Sequence, residues 1–208
     1  MKLYDYYRST ACYRVRIALN IKNIHYDKIP VHLVNNGGEQ HSSEYHHINP
    51  QELVPSLEAN EQIIHQSLAI IEYLEEIFPE IPLLPHTILD KAQVRSLALL
   101  VACDMHPLNN LRVLNRLKQQ FSAQEADVQE WYHYWLRTGF DAFEEKLHHL
   151  KRSKAVCFGD TPTIADVCLI PQVYNAKRFN FSMDDYPLIS QINSYCLTLP
   201  PFQNAAPD

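Results

Sequence analysis

Glycine is scarce in this 208-residue chain: only Gly37, Gly38, Gly139 and Gly159 occur. A dinucleotide fingerprint or a phosphate loop needs closely spaced glycines ahead of a helix, so no nucleotide cofactor is expected. Cysteines are few, and no Cys-x-x-Cys pair exists. The five (Cys12, Cys103, Cys157, Cys168 and Cys196) are odd in number and scattered. That fits a reduced cytoplasmic protein better than a disulfide scaffold or a zinc site. Metal is not expected from the histidines either: there is no H-E-x-x-H, and His46-His47 and His148-His149 are neighbours that point to different sides of a helix. Long apolar runs are missing too. "LALLVAC" is far too short to span a bilayer, and "MKLYDYYRS" lacks the apolar stretch of a secretory signal, so no membrane association is expected. Positive charge is not in excess; the formal net charge of −6 argues against nucleic acid as the main partner.

What is present is organised in two parts. "KLYDYY" reads as a strand, and "CYRVRIALNIKN" as a helix with apolar Val15, Ala18, Leu19 and Ile21. "HYDKIPVHL" reads as a second strand, and a short helical piece follows, ending at Asn49-Pro50. "LVPSLEA" and "EQIIHQ" form a hairpin about Asn60. "SLAIIEYLEEIF" is an amphipathic helix with Ser67 as its N-cap. The order is β-α-β-α-β-β-α over residues 1–79. Pro79, Pro82 and Pro85 then mark a linker, residues 80–88, because proline cannot continue a helix. Residues 89–208 show no convincing strand and read as an all-helical bundle. One long helix in it is kinked at Pro107, and "GDTPTIADV" carries a Thr163–Asp166 capping box, a folding signal.

The stretch "YYRSTACYRVRIALN" sets hydroxyls and a thiol where the first strand hands over to a helix. First-turn N–H groups lack partners there, so the junction favours an anion. The element order and this turn resemble the thioredoxin fold, whose redox members place an attacking cysteine here. In this chain the spacing is Ser9-x-x-Cys12, and serine cannot form a disulfide. A hydroxyl at that position can donate to another molecule's thiolate.

Four stretches resemble the zeta-class glutathione transferases, the class that contains maleylacetoacetate isomerase. They are "RSTACYRVRIAL", "NPQELVPSLE", "HQSLAIIEYLEE" and "GDTPTIADVCLIPQVYNAKRF", and they cover both parts. The resemblance implies glutathione as cofactor and a homodimer. It implies that Ser9 stabilises the thiolate, with Thr10 as a second hydroxyl. Val54 would offer its backbone to the cysteinyl unit ahead of a cis Pro55, Gln66 and Ser67 would take the γ-glutamyl end, and Gln40 would lie near the glycine carboxylate. Arg8 and Arg178 would read substrate carboxylates through the guanidinium fork, with His106, Asn109, Asn110 and Arg112 as further substrate contacts. Arg14 and Arg16 are assigned structural or interface roles. The family's usual Ser-Ser-Cys is departed from at Ala11, so no role is assigned to Cys12. The implied activity is cis–trans isomerisation of maleylacetoacetate to fumarylacetoacetate in tyrosine and phenylalanine breakdown, by thiolate addition, rotation and elimination. Maleylpyruvate isomerisation is the alternative, tilted against by Leu111 where some of those enzymes have arginine. A detoxifying transferase and a non-catalytic regulator are the other readings.

Overall fold

The structure is a computed structural model that describes residues 1–207, Asn36 by its backbone alone. Its contacts divide it into two compact units, one of residues 1–83 plus the segment from Thr198 onward, the other of residues 84–197.

The first unit holds a four-stranded mixed sheet. Its elements are β1 (Lys2–Asp5), α1 (Thr10–Ile21), β2 (Asp27–Pro30), α2 (Ser43–Ile48), β3 (Ser56–Ala59), β4 (Gln62–His65) and α3 (Ser67–Ile77). Strand order is β2-β1-β3-β4, with β1 parallel to β2 and antiparallel to β3, and β3 antiparallel to β4. This is the expected β-α-β-α-β-β-α thioredoxin-like order. The β3–β4 hairpin turns at Asn60 and Glu61, both with positive φ (50° and 61°), a left-handed pair that matches the twist of a two-residue hairpin.

Helix α1 is buried almost all round, including Arg14 and Arg16. A charge taken out of water needs partners, and Arg16 finds several. Its Nη1 pairs with Asp5 at 2.6 Å, Nη2 donates to the Tyr7 carbonyl at 2.9 Å, and Nε donates to the Ala205 carbonyl at 2.9 Å. Asn20 Nδ2 donates to the Pro201 carbonyl at 3.0 Å, and Phe202 is fully buried. These contacts correct the expected boundary: the last ten or so residues belong to the sheet unit and not to the helical bundle. Lys22 is handled similarly, its Nζ meeting Glu75 at 2.7 Å and the carbonyls of Phe78 and Ile81.

The second unit is all-helical, with α4 (Ile88–Leu99), α5 (Leu111–Phe121), α6 (Glu125–His149), α7 (Ile164–Arg178) and α8 (Pro187–Cys196). A short α9 (Pro200–Gln203) lies in the tail of the first unit. The kink expected at Pro107 is a break with more structure than proline alone explains. Helix α4 runs into a π-helical turn over Leu100–Met105, then a 3₁₀ turn over Pro107–Asn109, and α5 starts afresh with Asn110 as its N-cap. Gly139 on α6 lies so close to Met105 that a Cβ there would collide with the methionine side chain. The Thr163–Asp166 capping box is formed: the carboxylate accepts from Thr163 N at 2.8 Å and its hydroxyl at 3.0 Å, and also from Cys157 N at 2.7 Å. Helix α8, not expected from the sequence, is capped across the unit. The buried carboxylate of Glu144 on α6 accepts from Leu188 N and Ile189 N at 2.7 and 2.9 Å.

Candidate active site

In the first unit, Ser9 is the N-cap of α1, and its Oγ accepts from Cys12 N at 3.3 Å. That bond uses a lone pair of the hydroxyl oxygen. Thr10, the first residue of the helix, is buried. Cys12 is fully buried in an apolar cluster with Tyr6, Val31, Tyr45 and Val54. Burial first, and then the nearby Asp5 carboxylate, push its thiol far above the ordinary range. A thiol held protonated and sealed is not a nucleophile. The structure therefore makes Cys12 a packing residue.

The Val54–Pro55 peptide is cis, as the resemblance implied. The loop ahead of it is tied down on several sides. Tyr45 Oη and Asn49 Nδ2 both donate to the Leu53 carbonyl, at 2.8 and 2.7 Å. Glu52, at φ 56°, takes hydrogen bonds from the rings of His41 and His46 at 2.5 and 3.0 Å, which lower its carboxyl pKa, His41 first. Among the described residues Val54 makes no backbone–backbone hydrogen bond. Its N–H and C=O are thus held at a fixed place without a backbone partner, an edge to which an extended peptide could add.

Helix α3 corrects one expectation. Ser67 is not its N-cap but its first residue; the cap is Gln66, at φ 69°, and among the described residues no side-chain hydrogen bond caps the helix. Left-handed backbone is costly for a residue with a Cβ, and such outliers collect at binding sites. Gln66 Nε2 is held by Gln51 Oε1 at 2.8 Å. Buried Ser67 accepts from Arg14 Nη1 at 3.3 Å. A helix start with uncapped N–H groups, a serine hydroxyl and an arginine behind it is a carboxylate-binding arrangement. Arg14, expected to have a structural or interface role, stands directly behind Ser67. Its buried position on a nearly all-buried helix gives it no periodicity signal to be found by.

Gln40 is buried with its Oε1 unpaired among the described residues, and its Nε2 lies 3.0 Å from His41 Nε2. Gly38, at φ 103°, makes room for that amide, since a Cβ there would strike the Gln40 side chain. Arg8 is exposed, its guanidinium 5.1 Å from the Tyr7 ring centre. Hydroxyl, open backbone edge, uncapped helix start and unpaired buried amide together fit a small peptide carrying carboxylates and a thiol.

The candidates in the second unit divide. Asn109 is buried and donates to the Tyr132 carbonyl at 3.2 Å, and Asn110 caps α5 by accepting from Arg112 N at 3.1 Å. Both do structural work. His106 is half-buried at the end of the π-helical turn, and Arg112 is exposed on α5. Arg178 is exposed in the last turn of α7, its Nη1 donating to Asn175 Oδ1 at 3.0 Å and its guanidinium 5.4 Å from the Phe179 ring centre.

A thioredoxin-like unit with serine in place of the attacking cysteine, followed by an all-helical unit, defines a glutathione transferase architecture. Residues 3–82 match the family profile described as the glutathione S-transferase N-terminal domain. A probable maleylacetoacetate isomerase from Vibrio cholerae is 47% identical over 99% of this chain and 95% of its own length. A solved glutathione S-transferase from Legionella pneumophila is 64% identical, covering 100% of both chains with a TM-score of 0.90. The holo structure of a maleylpyruvate isomerase, a bacterial zeta-class glutathione S-transferase, is 43% identical. It matches with a TM-score of 0.96 over 100% of this chain and 97% of that one. The chain belongs to the zeta-class glutathione transferase and maleylacetoacetate isomerase family.

Proposed function

We propose that the protein is a glutathione-dependent cis–trans isomerase that converts maleylacetoacetate to fumarylacetoacetate, as a cytoplasmic homodimer. One observation carries the reading. The helix start that holds the attacking sulfur in redox relatives of the fold here presents the Ser9 hydroxyl, while the nearby Cys12 thiol is sealed in the core. The reacting sulfur must then come from a bound molecule. Glutathione, when bound, supplies the thiolate whose reversible addition makes the double bond rotatable.

The chain's own residues do the rest. Ser9 donates its hydroxyl hydrogen to the sulfur at the positive end of α1 and keeps it ionised near neutral pH. Thr10 is the second hydroxyl at that helix start. Val54 offers its N–H and C=O to the peptide, beside Pro55. Gln66, Ser67 and the first-turn N–H groups of α3 take the γ-glutamyl carboxylate, with Arg14 behind Ser67 adding charge. Gln40 serves the glycine end. Arg178 and Arg8 read the carboxylates of the substrate, and His106 and Arg112 are its further contacts. Asn109 and Asn110 support that stretch through their backbone bonds.

Maleylpyruvate isomerisation is the second reading, favoured by the 0.96 TM-score to a maleylpyruvate isomerase. Turnover of both maleyl acids, each with and without glutathione, tests the pair. The expected result is glutathione-dependent turnover with higher kcat/KM on maleylacetoacetate. Higher kcat/KM on maleylpyruvate moves the assignment to the second reading, and turnover of neither acid overturns both. Light scattering at twice the chain mass checks the dimer.

A further inference from the structure

Between helices α6 and α7, Arg178 is joined to polar groups, Tyr132 and Asn175, to which the proposed function gives no role. Tyr132 on α6 is fully buried, yet its hydroxyl accepts a hydrogen bond from Asn175 Nδ2. The other end of that amide, Oδ1, accepts from Arg178 Nη1 at 3.0 Å. Because Arg178 can only donate, Oδ1 must face it, and Nδ2 must therefore face the tyrosine. Removal of either contact lets the amide turn. The Tyr132 ring also stacks on Phe179, centroids 4.0 Å apart at 14°, and the Arg178 guanidinium lies 5.4 Å from the centre of that same Phe179 ring. Next along α6, His133 Nε2 donates to the Phe179 carbonyl at 2.8 Å and fixes the end of α7. In the other direction, the Tyr132 backbone carbonyl accepts from Asn109 at 3.2 Å, in the turn that carries His106.

We infer that Tyr132 is a positioning residue for Arg178, acting through the Asn175 amide and the Phe179 ring. This rests on the reading of Arg178 as the group that meets a substrate carboxylate. An exposed arginine at a helix end has many rotamers, and the order it must gain on binding weakens what the fork can deliver. The Asn175 hydrogen bond on one side and the Phe179 face on the other remove part of that disorder before the ligand arrives. Tyr132 suits this task because its hydroxyl stays neutral. Burial holds it from ionising, with the Arg178 charge and the Asn175 bond pulling the opposite way.

Tyr132→Phe keeps the ring and its stacking and removes only the hydroxyl. Malonate, a small dicarboxylate, is the binding probe on the glutathione-loaded protein, read by calorimetry beside maleylacetoacetate kinetics. The expected change is a rise of roughly 2- to 10-fold in malonate Kd and in KM, the range one net hydrogen bond commands. The kcat, the glutathione Kd and conjugation of a neutral aryl halide stay unchanged. In an Arg178→Lys background the Tyr132→Phe change adds nothing further, because its effect passes through the guanidinium. Asn175→Ala reproduces the same pattern and serves if Tyr132→Phe folds poorly. If Arg178→Lys is selective for dicarboxylates while Tyr132→Phe and Asn175→Ala are silent, or add to it, the positioning role is wrong and the carboxylate reading stands. If Arg178→Lys weakens the dicarboxylate and the aryl halide equally, the carboxylate reading fails and takes the inference with it.

Discussion

Ser9 and Cys12 lie three residues apart and have opposite fates, which follow from where the start of α1 leaves each side chain. The N-cap position keeps Ser9 at the open end of the helix, and the third helical residue turns Cys12 into the core. Ser9→Ala is expected to cut isomerase kcat by roughly 10²–10³, the usual worth of a positioned donor to a catalytic anion. Glutathione Kd should change little, since on the proposed reading the cysteinyl backbone is held at Val54 and the two ends at α3 and Gln40. Retention of more than half the activity, with loss in Thr10→Ala instead, would mean that the neighbouring hydroxyl does this work. The sequence showed Ser9 because a hydroxyl at a strand-to-helix junction is a local signal. Arg14 gave no such signal: its partner, Ser67, is 53 residues away. Tyr132 is the same case, since an aromatic on a long helix looks like core until the atom beside its hydroxyl is known.

Helices were legible where their faces alternate and their caps are local, and less so where a distant group does the capping. The Thr163–Asp166 box was readable because both members fall within one turn. Ser67 was misplaced by one position because the sequence preference for serine at an N-cap competes with a left-handed Gln66, and nothing in a glutamine announces positive φ. Helix α8 went unread because Glu144, on α6, supplies the carboxylate that a local Ser or Asp normally would. The π-helical turn at Leu100–Met105 has no residue signature at all; the close approach of Gly139 to Met105 accompanies it. Asp166 ties the start of α7 to Cys157 through three hydrogen bonds to a buried carboxylate whose pKa burial raises, against the pull of those bonds. Asp166→Asn replaces one acceptor oxygen by a donor that faces other donors. Unfolding free energy should fall by about 1–3 kcal/mol, measured by urea titration, and an unchanged midpoint would show that the box is not needed.

At the level of the whole chain, the order of strands and helices followed from hydrophobic period and turn residues, so the fold was legible. The exception was the tail. Its residues read as the end of a helical bundle because they follow one in sequence. The reason they belong to the first unit lies some 180 to 190 residues upstream, in polar side chains of α1 that donate to tail carbonyls. Arg16 Nε, Asn20 Nδ2 and Tyr13 Oη each end on a tail carbonyl, those of Ala205, Pro201 and Phe202. Deletion of the chain from Thr198 onward would leave these donors facing the place of lost acceptors, at about 1–3 kcal/mol each. It would also uncover the pocket that Phe202 fills, where a Phe→Ala change alone costs about 3–5 kcal/mol. Domain stabilities are only about 5–15 kcal/mol, so the deletion is expected to leave the sheet unit unfolded or close to it. Phe202→Ala, which keeps every backbone acceptor, should show an intermediate loss in a thermal melt, and removal of only Pro207 and Asp208 should show none. A tail-deleted protein with an unchanged melting temperature and intact glutathione binding would mean that α1 satisfies its arginine without the tail.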